Sequence, residues 1–209
     1  MTRLLVMDVD STLITAEVIE LIAERAGTRA EVARITEAAM RGDLDFAASL
    51  KERVSTLAGL PESVLQDVLA EVELTPGAIE LVDAAQGAGW EVALVSGGFA
   101  EIVGPLAQTL GITRYRANRL EVADGRLTGR TVGPVIDRDA KEHALREFAA
   151  ELSVALEDTV AIGDGANDLA MMAAAGLGIA FNAKPVVQAQ ADVAINEPRL
   201  DAALPYLGL

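Results

Sequence analysis

The strongest constraint on the fold of this chain is the alternation of short apolar runs with segments of helical periodicity. Each run has the length and composition of a buried strand, and the runs occupy residues 4–9, 91–95, 159–162, 177–181 and 192–195. Parallel strands need helical crossovers between them, so this order predicts an α/β fold with a doubly wound, mostly parallel sheet. One antiparallel hairpin is expected at Asp124-Gly125, which lies between apolar residues.

A helical insertion follows the first predicted strand. Residues 29–74 keep a helical period that is interrupted by two glycines and one proline, and no part of them has the pattern of a strand. We therefore predict a Rossmann-like catalytic core formed by residues 1–15 and 75–209, with a small helical cap domain at residues 16–74.

The charge of the chain excludes several classes of partner. Aspartate and glutamate total 32 against 17 lysines and arginines, which gives a formal net charge of −15. Nucleic acids and anionic membrane surfaces attract basic proteins, so neither is expected as a partner. The longest apolar stretch, residues 169–181, is shorter than the ~18 residues that cross a bilayer, and the apolar start is too short for a secretion signal. We expect a cytoplasmic protein that acts on a small molecule, as a monomer or homodimer.

Cysteine and histidine usage narrows the chemistry further. The chain has no cysteine and one histidine, which excludes a thiol nucleophile and leaves a zinc site or a Ser-His-Asp triad poorly supplied. Carboxylates, hydroxyls, amides and lysines remain. The carboxylates, hydroxyls and amides of interest occur in three polar clusters at predicted strand ends, and a parallel sheet brings such ends to one edge.

The first cluster, residues 8–12, carries two aspartates. Asp8 and Asp10 lie two positions apart, so in an extended segment both carboxylates face the same side. One can act as a nucleophile towards phosphorus and the other as a general acid and base. Taken alone, the cluster is equally typical of a loop whose Asp and Ser residues cap a helix.

The second and third clusters have the composition of a phosphate site and a metal site. Ser96-Gly97-Gly98 offers a hydroxyl and open backbone N–H groups, although an ordinary strand-to-helix turn has the same composition. Asp164, Asn167 and Asp168 supply the oxygen ligands that Mg²⁺ prefers, although Asp164 alone is also typical of a helix cap.

Lys141 completes the pattern as one of three lysines in the chain. Alone it would be an ordinary solvated helix residue. In chain order, however, the three clusters and Lys141 resemble the four motifs of the haloacid dehalogenase-like phosphatases, and the similarity covers essentially the whole chain. The resemblance implies a Mg²⁺-dependent phosphoric monoester hydrolase that forms an aspartyl phosphate.

The resemblance also implies roles for individual residues. Asp8 is expected to be the nucleophile and Asp10 the general acid and base. Magnesium is expected to bind the carboxylates of Asp8 and Asp164 and the backbone carbonyl of Asp10, with Asp168 supporting the metal. Phosphate is expected to bind Ser96, Gly97, Gly98, Lys141 and Asn167.

The regions around Glu17, residues 35–53 and residues 117–120 resemble members of that superfamily that act on O-phospho-L-serine, in the last step of serine biosynthesis. Glu17 is then expected to bind the ammonium group and Arg53 the carboxylate. Phe46 lies seven positions before Arg53, within about 20° of the same helix face. Phe46 and Met40 are expected to close the site against water.

Two alternatives remain open from the sequence. A related enzyme acting on phosphohomoserine, or one transferring phosphate to an alcohol, would have the same motifs. A receiver-type signalling switch also holds an aspartyl phosphate with clustered acids and a lysine, but it is usually much shorter and has no helical insertion.

Overall fold

The sheet organises the whole molecule. The computed structural model describes residues 2–40 and 44–209, in which seven strands form one sheet. In chain order they are β1 Leu4–Met7, β2 Glu91–Phe99, β3 Arg114–Ala123, β4 Arg126–Val132, β5 Thr159–Gly163, β6 Leu177–Phe181 and β7 Val193–Ile195. The spatial order is β4-β3-β2-β1-β5-β6-β7, and every pair is parallel except β3 with β4. The predicted α/β fold is confirmed.

Helices cover both faces of this sheet. In the described ranges they are α1 Val18–Ala26, α2 Arg29–Met40, α3 Phe46–Ser55, α4 Val64–Glu71, α5 Ala78–Gly87, α6 Ala100–Thr109, α7 Arg138–Glu151, α8 Leu169–Ala174, α9 Pro185–Gln188 and α10 Leu204–Leu207. Because side chains alternate along a strand, Leu5 and Met7 enter one core with α1, α5 and α6, while Leu4 and Val6 enter a second core with α7 and α8. None of the helices in these ranges is long and apolar enough to cross a membrane.

Helices α1 to α4 lie between β1 and α5, where the sequence predicts an insertion. The end of this helical segment also bonds to the hairpin formed by β3 and β4. Gly59 donates a backbone hydrogen bond to Leu127 at 2.8 Å, and Leu127 donates one to Leu60 at 2.9 Å. The helical segment is therefore attached to the hairpin as well as to its neighbours in sequence.

The strands differ from the sequence prediction in their bounds: β1 ends at Met7 and not at residue 9, and β4 extends from the predicted hairpin to Val132. The first half of β3 was not predicted, because arginines at residues 114, 116 and 119 hide its alternation. Strand β2 continues through Ser96-Gly97-Gly98 to Phe99, beyond the predicted end at residue 95. The hairpin turn lies at Asp124 and Gly125 as predicted, both with positive φ of 50° and 71°.

Candidate active site

The segment after β1 turns back within a few residues and directs two carboxylates into one pocket. Asp8 is held to the neighbouring strand by its backbone N–H, which donates to Ile162 at 2.9 Å. A wide turn over Val9–Leu13 then closes through a bond from Ile14 to Val9 at 3.0 Å. Both Asp8 and Asp10 line the resulting pocket.

Asp8 shares a buried cation with a second aspartate. The ammonium of Lys141 donates to Asp8 Oδ1 at 2.7 Å and to Asp168 Oδ1 at 2.6 Å, and the Lys141 side chain is fully buried. Burial opposes the charge on Lys141, but the two aspartates outweigh it, so the pKa of Lys141 lies above its ordinary value. The other oxygen of Asp168 accepts the N–H groups of Asp164 and Gly165 at 3.2 and 3.0 Å.

The buried acids outnumber the buried cation. Burial, together with the charge of Asp168, raises the pKa of Asp8 to about 7 even though Lys141 opposes the shift. Burial and the charge of Asp8 likewise raise the pKa of Asp164 well above its usual value. A cation bound among these acids would therefore compete with protons for them.

The donor set fits a hard cation. Oxygens of Asp8, Asp164 and Asp168 all lie within 4.8 Å of one another, and carboxylate oxygens are the ligands preferred by such ions. Thr12 orients the group by donating to Asp164 Oδ1 at 3.2 Å. Both oxygens of Asp168 already accept protein donors, which leaves Asp8 and Asp164 with free capacity for a metal.

Asp10 is held at both of its oxygens. The backbone N–H of Val18 at the start of α1 donates to Oδ1 at 2.7 Å, and the Ser96 hydroxyl donates to Oδ2 at 3.1 Å. Ser96 Oγ in turn accepts the N–H of Gly98 at 2.8 Å, so the hydroxyl proton is left for Asp10. Burial raises the pKa of Asp10, although these two hydrogen bonds favour the ionised carboxylate and oppose the rise.

The opposite wall of the pocket comes from helices α1 to α3. Arg53 on α3 is buried there, with Nη1 donating to Thr36 at 3.0 Å and Nε donating to the carbonyl of Ser49 at 3.2 Å. Its guanidinium lies 6.0 Å from the centre of the Phe46 ring. Nη2 has no hydrogen-bond acceptor in the described part of the chain and belongs to a side chain that lines the pocket.

Glu17 stands beside the first aspartates at the start of α1. Its carboxylate accepts the Ser11 hydroxyl at 2.6 Å. Burial, followed by the charge of Asp10, raises the pKa of Glu17 to about 8. Ser11 has a φ of 56°, a backbone conformation that is uncommon outside glycine. Its N–H donates a hydrogen bond to the carbonyl of Ala16 at 3.2 Å.

Most of the residues predicted from the sequence meet in this region. The pocket is lined on the sheet side and the helix side by Asp8, Asp10, Glu17, Phe46, Arg53, Gly97, Gly98 and Asn167. Lys141, Asp164, Asp168 and Ser96 stand behind it through the bonds given above. The side chain of Met40 lies outside the described residues. Sequence reasoning missed Thr36, since an isolated hydroxyl residue on a helix carries no pattern, and it missed the Ser49 carbonyl, since a backbone acceptor has no residue signature.

Comparison with known proteins decides the family. A sequence model of haloacid dehalogenase-like hydrolases matches residues 5–173. The chain belongs to the haloacid dehalogenase-like hydrolase family. Its curated relatives include the phosphoserine phosphatase SerB2 of Mycobacterium tuberculosis, 54% identical over 99% of this chain, and the phosphoserine phosphatase of Streptococcus thermophilus, 54% identical over 94%.

The extent of these matches differs between relatives of this haloacid dehalogenase-like hydrolase. The chain spans about half the length of the Mycobacterium tuberculosis and Streptomyces coelicolor phosphoserine phosphatases, but 92% of the Streptococcus thermophilus protein. A solved phospho-aspartyl intermediate analogue of phosphoserine phosphatase is 43% identical, with a TM-score of 0.96 over 99% of both chains. A substrate-bound phosphoserine phosphatase complex is 42% identical with the same TM-score and coverage.

Binding of Mg²⁺ to the metal-free hydrolase is expected to release protons near neutral pH. Asp8, with a pKa of about 7, is partly protonated there, and a carboxylate must lose its proton to bind a metal. Mg²⁺ affinity should therefore rise by up to about tenfold per pH unit from pH 6 to 7, and the contribution of Asp8 to this rise should end above pH 8. Calorimetric titration in buffers of different ionisation enthalpy measures the protons released, and a pH-independent affinity without proton release would contradict this expectation.

Proposed function

We propose that this chain is a magnesium-dependent phosphoserine phosphatase, which hydrolyses O-phospho-L-serine to L-serine and phosphate in the cytoplasm. The observation that carries the proposal is one pocket with two chemically different ends. Asp8 with its buried lysine lies at one end and Arg53 on α3 at the other, while Glu17 stands beside Ser11 and Asp10. The similarity to phosphoserine phosphatases over nearly the whole chain supports the same substrate.

The reaction proceeds in two displacements at phosphorus. An oxygen of Asp8 attacks and forms a P–O bond, the bond from phosphorus to the serine oxygen breaks, and Asp10 gives that oxygen a proton. Water then attacks phosphorus, Asp10 takes a proton from the water, and the bond to Asp8 breaks. The raised pKa of Asp10 favours the protonated form that the first step requires.

Charge stabilisation accounts for most of the catalysis of phosphoryl transfer. Mg²⁺, held by the carboxylates of Asp8 and Asp164 and the backbone carbonyl of Asp10, would neutralise charge on the phosphoryl oxygens. Lys141 lies against Asp8 and supplies a buried positive charge from the chain itself next to the nucleophile. The remaining contacts to phosphate come from Ser96, Gly97, Gly98 and Asn167, while Asp168 holds Lys141.

The amino-acid end of the substrate is recognised by two charges. Arg53 binds the carboxylate through N–H groups that its bonds to Thr36 and Ser49 leave free. Glu17 binds the ammonium, whose charge favours the ionised form of this buried carboxyl. Phe46 and Met40 exclude water.

We also infer two domains, a core at residues 1–15 and 75–209 and a cap at residues 16–74. The cap carries the residues that recognise the amino-acid end of the substrate.

The proposal is tested by measuring phosphate release from a panel of phosphorylated amino acids. With Mg²⁺, O-phospho-L-serine should have the highest kcat/KM, and chelation of the metal should remove the activity. A higher kcat/KM for phosphohomoserine, or phosphate delivered to an added alcohol in preference to water, would replace the proposed substrate or reaction by the corresponding alternative.

Replacing Arg53 with Ala is expected to reduce kcat/KM for phosphoserine by about 100-fold, because a buried charge pair with the substrate carboxylate is lost. Hydrolysis of p-nitrophenyl phosphate, which has no carboxylate, should change by less than about threefold. Lys51→Ala, an exposed position on the same helix, provides the control and should behave as wild type. Equal losses on both substrates would show that Arg53 does not recognise the carboxylate of phosphoserine.

A further inference from the structure

The phosphate-binding end of β2 contains a bulge. Strand β2 pairs with β3 at Ser96 and Ala117 and next at Phe99 and Asn118, so Gly97 and Gly98 lie between two ladder pairs that are consecutive on β3. The bulge presses against the pocket. A Cβ on Gly98 would lie 2.4 Å from Asp10 Oδ2, and one on Gly97 would lie 2.8 Å from the Phe46 ring.

The buried side chain of Asn118 connects this bulge to a second element. Its Nδ2 donates to the Gly97 carbonyl at 2.8 Å, and its Oδ1 accepts the backbone N–H of Ile136 at 2.9 Å. Asn118 is 1% exposed, so water does not compete for these bonds. The amide thus uses its two ends to bond two segments, the bulge of β2 and the residues that precede α7.

Ile136 leads directly into the helix that carries Lys141. The next residue, Asp137, caps α7 by accepting the N–H of Ala140 on its side chain at 2.9 Å and that of Lys141 on its carbonyl at 3.0 Å. A displacement of Ile136 is therefore passed to the first turn of α7, where Lys141 is held.

We propose that Asn118 is a positioning residue for phosphoryl transfer. Its amide holds the Gly97–Gly98 peptide and the start of α7 at a fixed separation, so that the bulge and the ammonium of Lys141 converge on one phosphoryl group. The same bond orients Gly98, whose N–H sets the Ser96 hydroxyl towards Asp10. This inference rests on the proposed function and extends it to a residue that does not line the pocket.

Two variants separate positioning from simple packing. Asn118→Asp keeps the shape and the acceptor for Ile136 but turns an oxygen towards the Gly97 carbonyl. Asn118→Leu keeps an approximate shape without either bond. In both variants we expect kcat/KM to fall by about 10- to 100-fold on phosphoserine and p-nitrophenyl phosphate alike, because the phosphate is common to both. Inhibition by inorganic phosphate should weaken by a similar factor.

Leu120→Ala is the matched control, since Leu120 is a buried residue on the same strand that makes no side-chain hydrogen bond. It should lower Tm but leave KM and the inhibition constant of phosphate within about twofold. If Asn118→Asp lowers Tm in the same way with wild-type KM, kcat and phosphate inhibition, Asn118 has only a structural role.

Calorimetric binding of inorganic phosphate in the presence of Mg²⁺ provides a readout without turnover. Wild-type protein that binds phosphate but does not hydrolyse phosphoserine would refute the proposed function, while weaker binding by Asn118→Asp would still support the positioning role. Equal phosphate affinity in the variant and wild type would refute the positioning role, whatever the substrate.

Discussion

Asp8→Asn is expected to lower the rate of phosphate release by roughly four orders of magnitude or more, as loss of a catalytic nucleophile does. The amide has almost the shape of the carboxylate and can still accept the Lys141 ammonium that now bonds Asp8 Oδ1. It cannot form the acyl phosphate. Phosphate release in the presence of Mg²⁺ measures the loss, and Asp139→Asn, at an exposed position on α7, is the control.

The same substitution should leave the metal-free protein as stable as wild type or more stable. Burial is the largest cause of the raised pKa of Asp8, so a neutral side chain removes a desolvation penalty. The gain should grow from about pH 4 to about pH 7, because over that range the unfolded wild type releases the Asp8 proton while the folded protein still retains it, which lowers wild-type stability. Thermal melts with a chelator at pH 5 and pH 8 measure it.

Two observations would contradict Asp8 as the nucleophile. Acid quenching with radiolabelled phosphoserine should leave label on wild-type protein and none on Asp8→Asn, so label on both would place the phosphoryl group elsewhere. The stereochemical course at phosphorus should be net retention, since two in-line displacements each invert the centre. Net inversion would mean that water attacks the substrate directly.

Lys141→Met is expected to have the second-largest effect, on stability as well as activity. Lys141 is the buried cation bonded to both Asp8 and Asp168, and removing one partner of a buried ion pair costs about 3–5 kcal/mol. For a chain of this length that corresponds to a fall in Tm of roughly 6–20 °C. The rate of phosphate release should fall by about 10²–10³-fold, as for loss of one group that stabilises the transition state.

The pH dependence identifies the origin of this destabilisation. The raised pKa of Lys141 means that its contribution is fully present below its unfolded pKa, and therefore at every pH from 5 to 8. Lys141 lowers the pKa of Asp8, so without the ammonium this buried carboxyl is held as the protonated acid in the folded protein, which is easier at pH 5 than at pH 8. The loss of Tm should be larger at pH 8 in melts with a chelator.

Lys184→Met supplies the control for Lys141→Met. Lys184 pairs with Glu37 at 3.5 Å, but its side chain is 44% exposed, and exposed pairs contribute about 0–1 kcal/mol. A similar loss of Tm in both variants, or a loss in Lys141→Met that does not depend on pH, would mean that packing of the lysine chain matters more than its charge.

Periodicity was sufficient to predict the parts of the fold that have uniform surroundings. Strands β1, β5 and β6 are covered by helices on both faces, so their apolar runs are continuous and were found with nearly the observed bounds. Strand β3 lies next to the edge strand β4 and exposes several charged side chains. The first half of β3 was missed because its exposed arginines interrupt the apolar pattern by which a buried strand is found.

The candidate site, like the fold, was predicted from the sequence only in part. The polar clusters at strand ends were visible because their residue types are unusual at such positions. The placement of Lys141, fully buried between two aspartates, was not visible, since a lysine on a helix is ordinarily solvated. Nor was the pairing of Arg53 with Thr36, which depends on how α2 and α3 pack.

By itself the sequence determined an α/β sheet with acids, hydroxyls and glycines at one edge, because those features depend on residues a few positions apart. Only the tertiary structure decided which charges touch. The ammonium of Lys141 bonds to an aspartate 133 positions away, and the same packing removes the water that would keep the pKa of that aspartate low. Burial and distant contacts are produced by the packing of whole elements, and no local pattern records them.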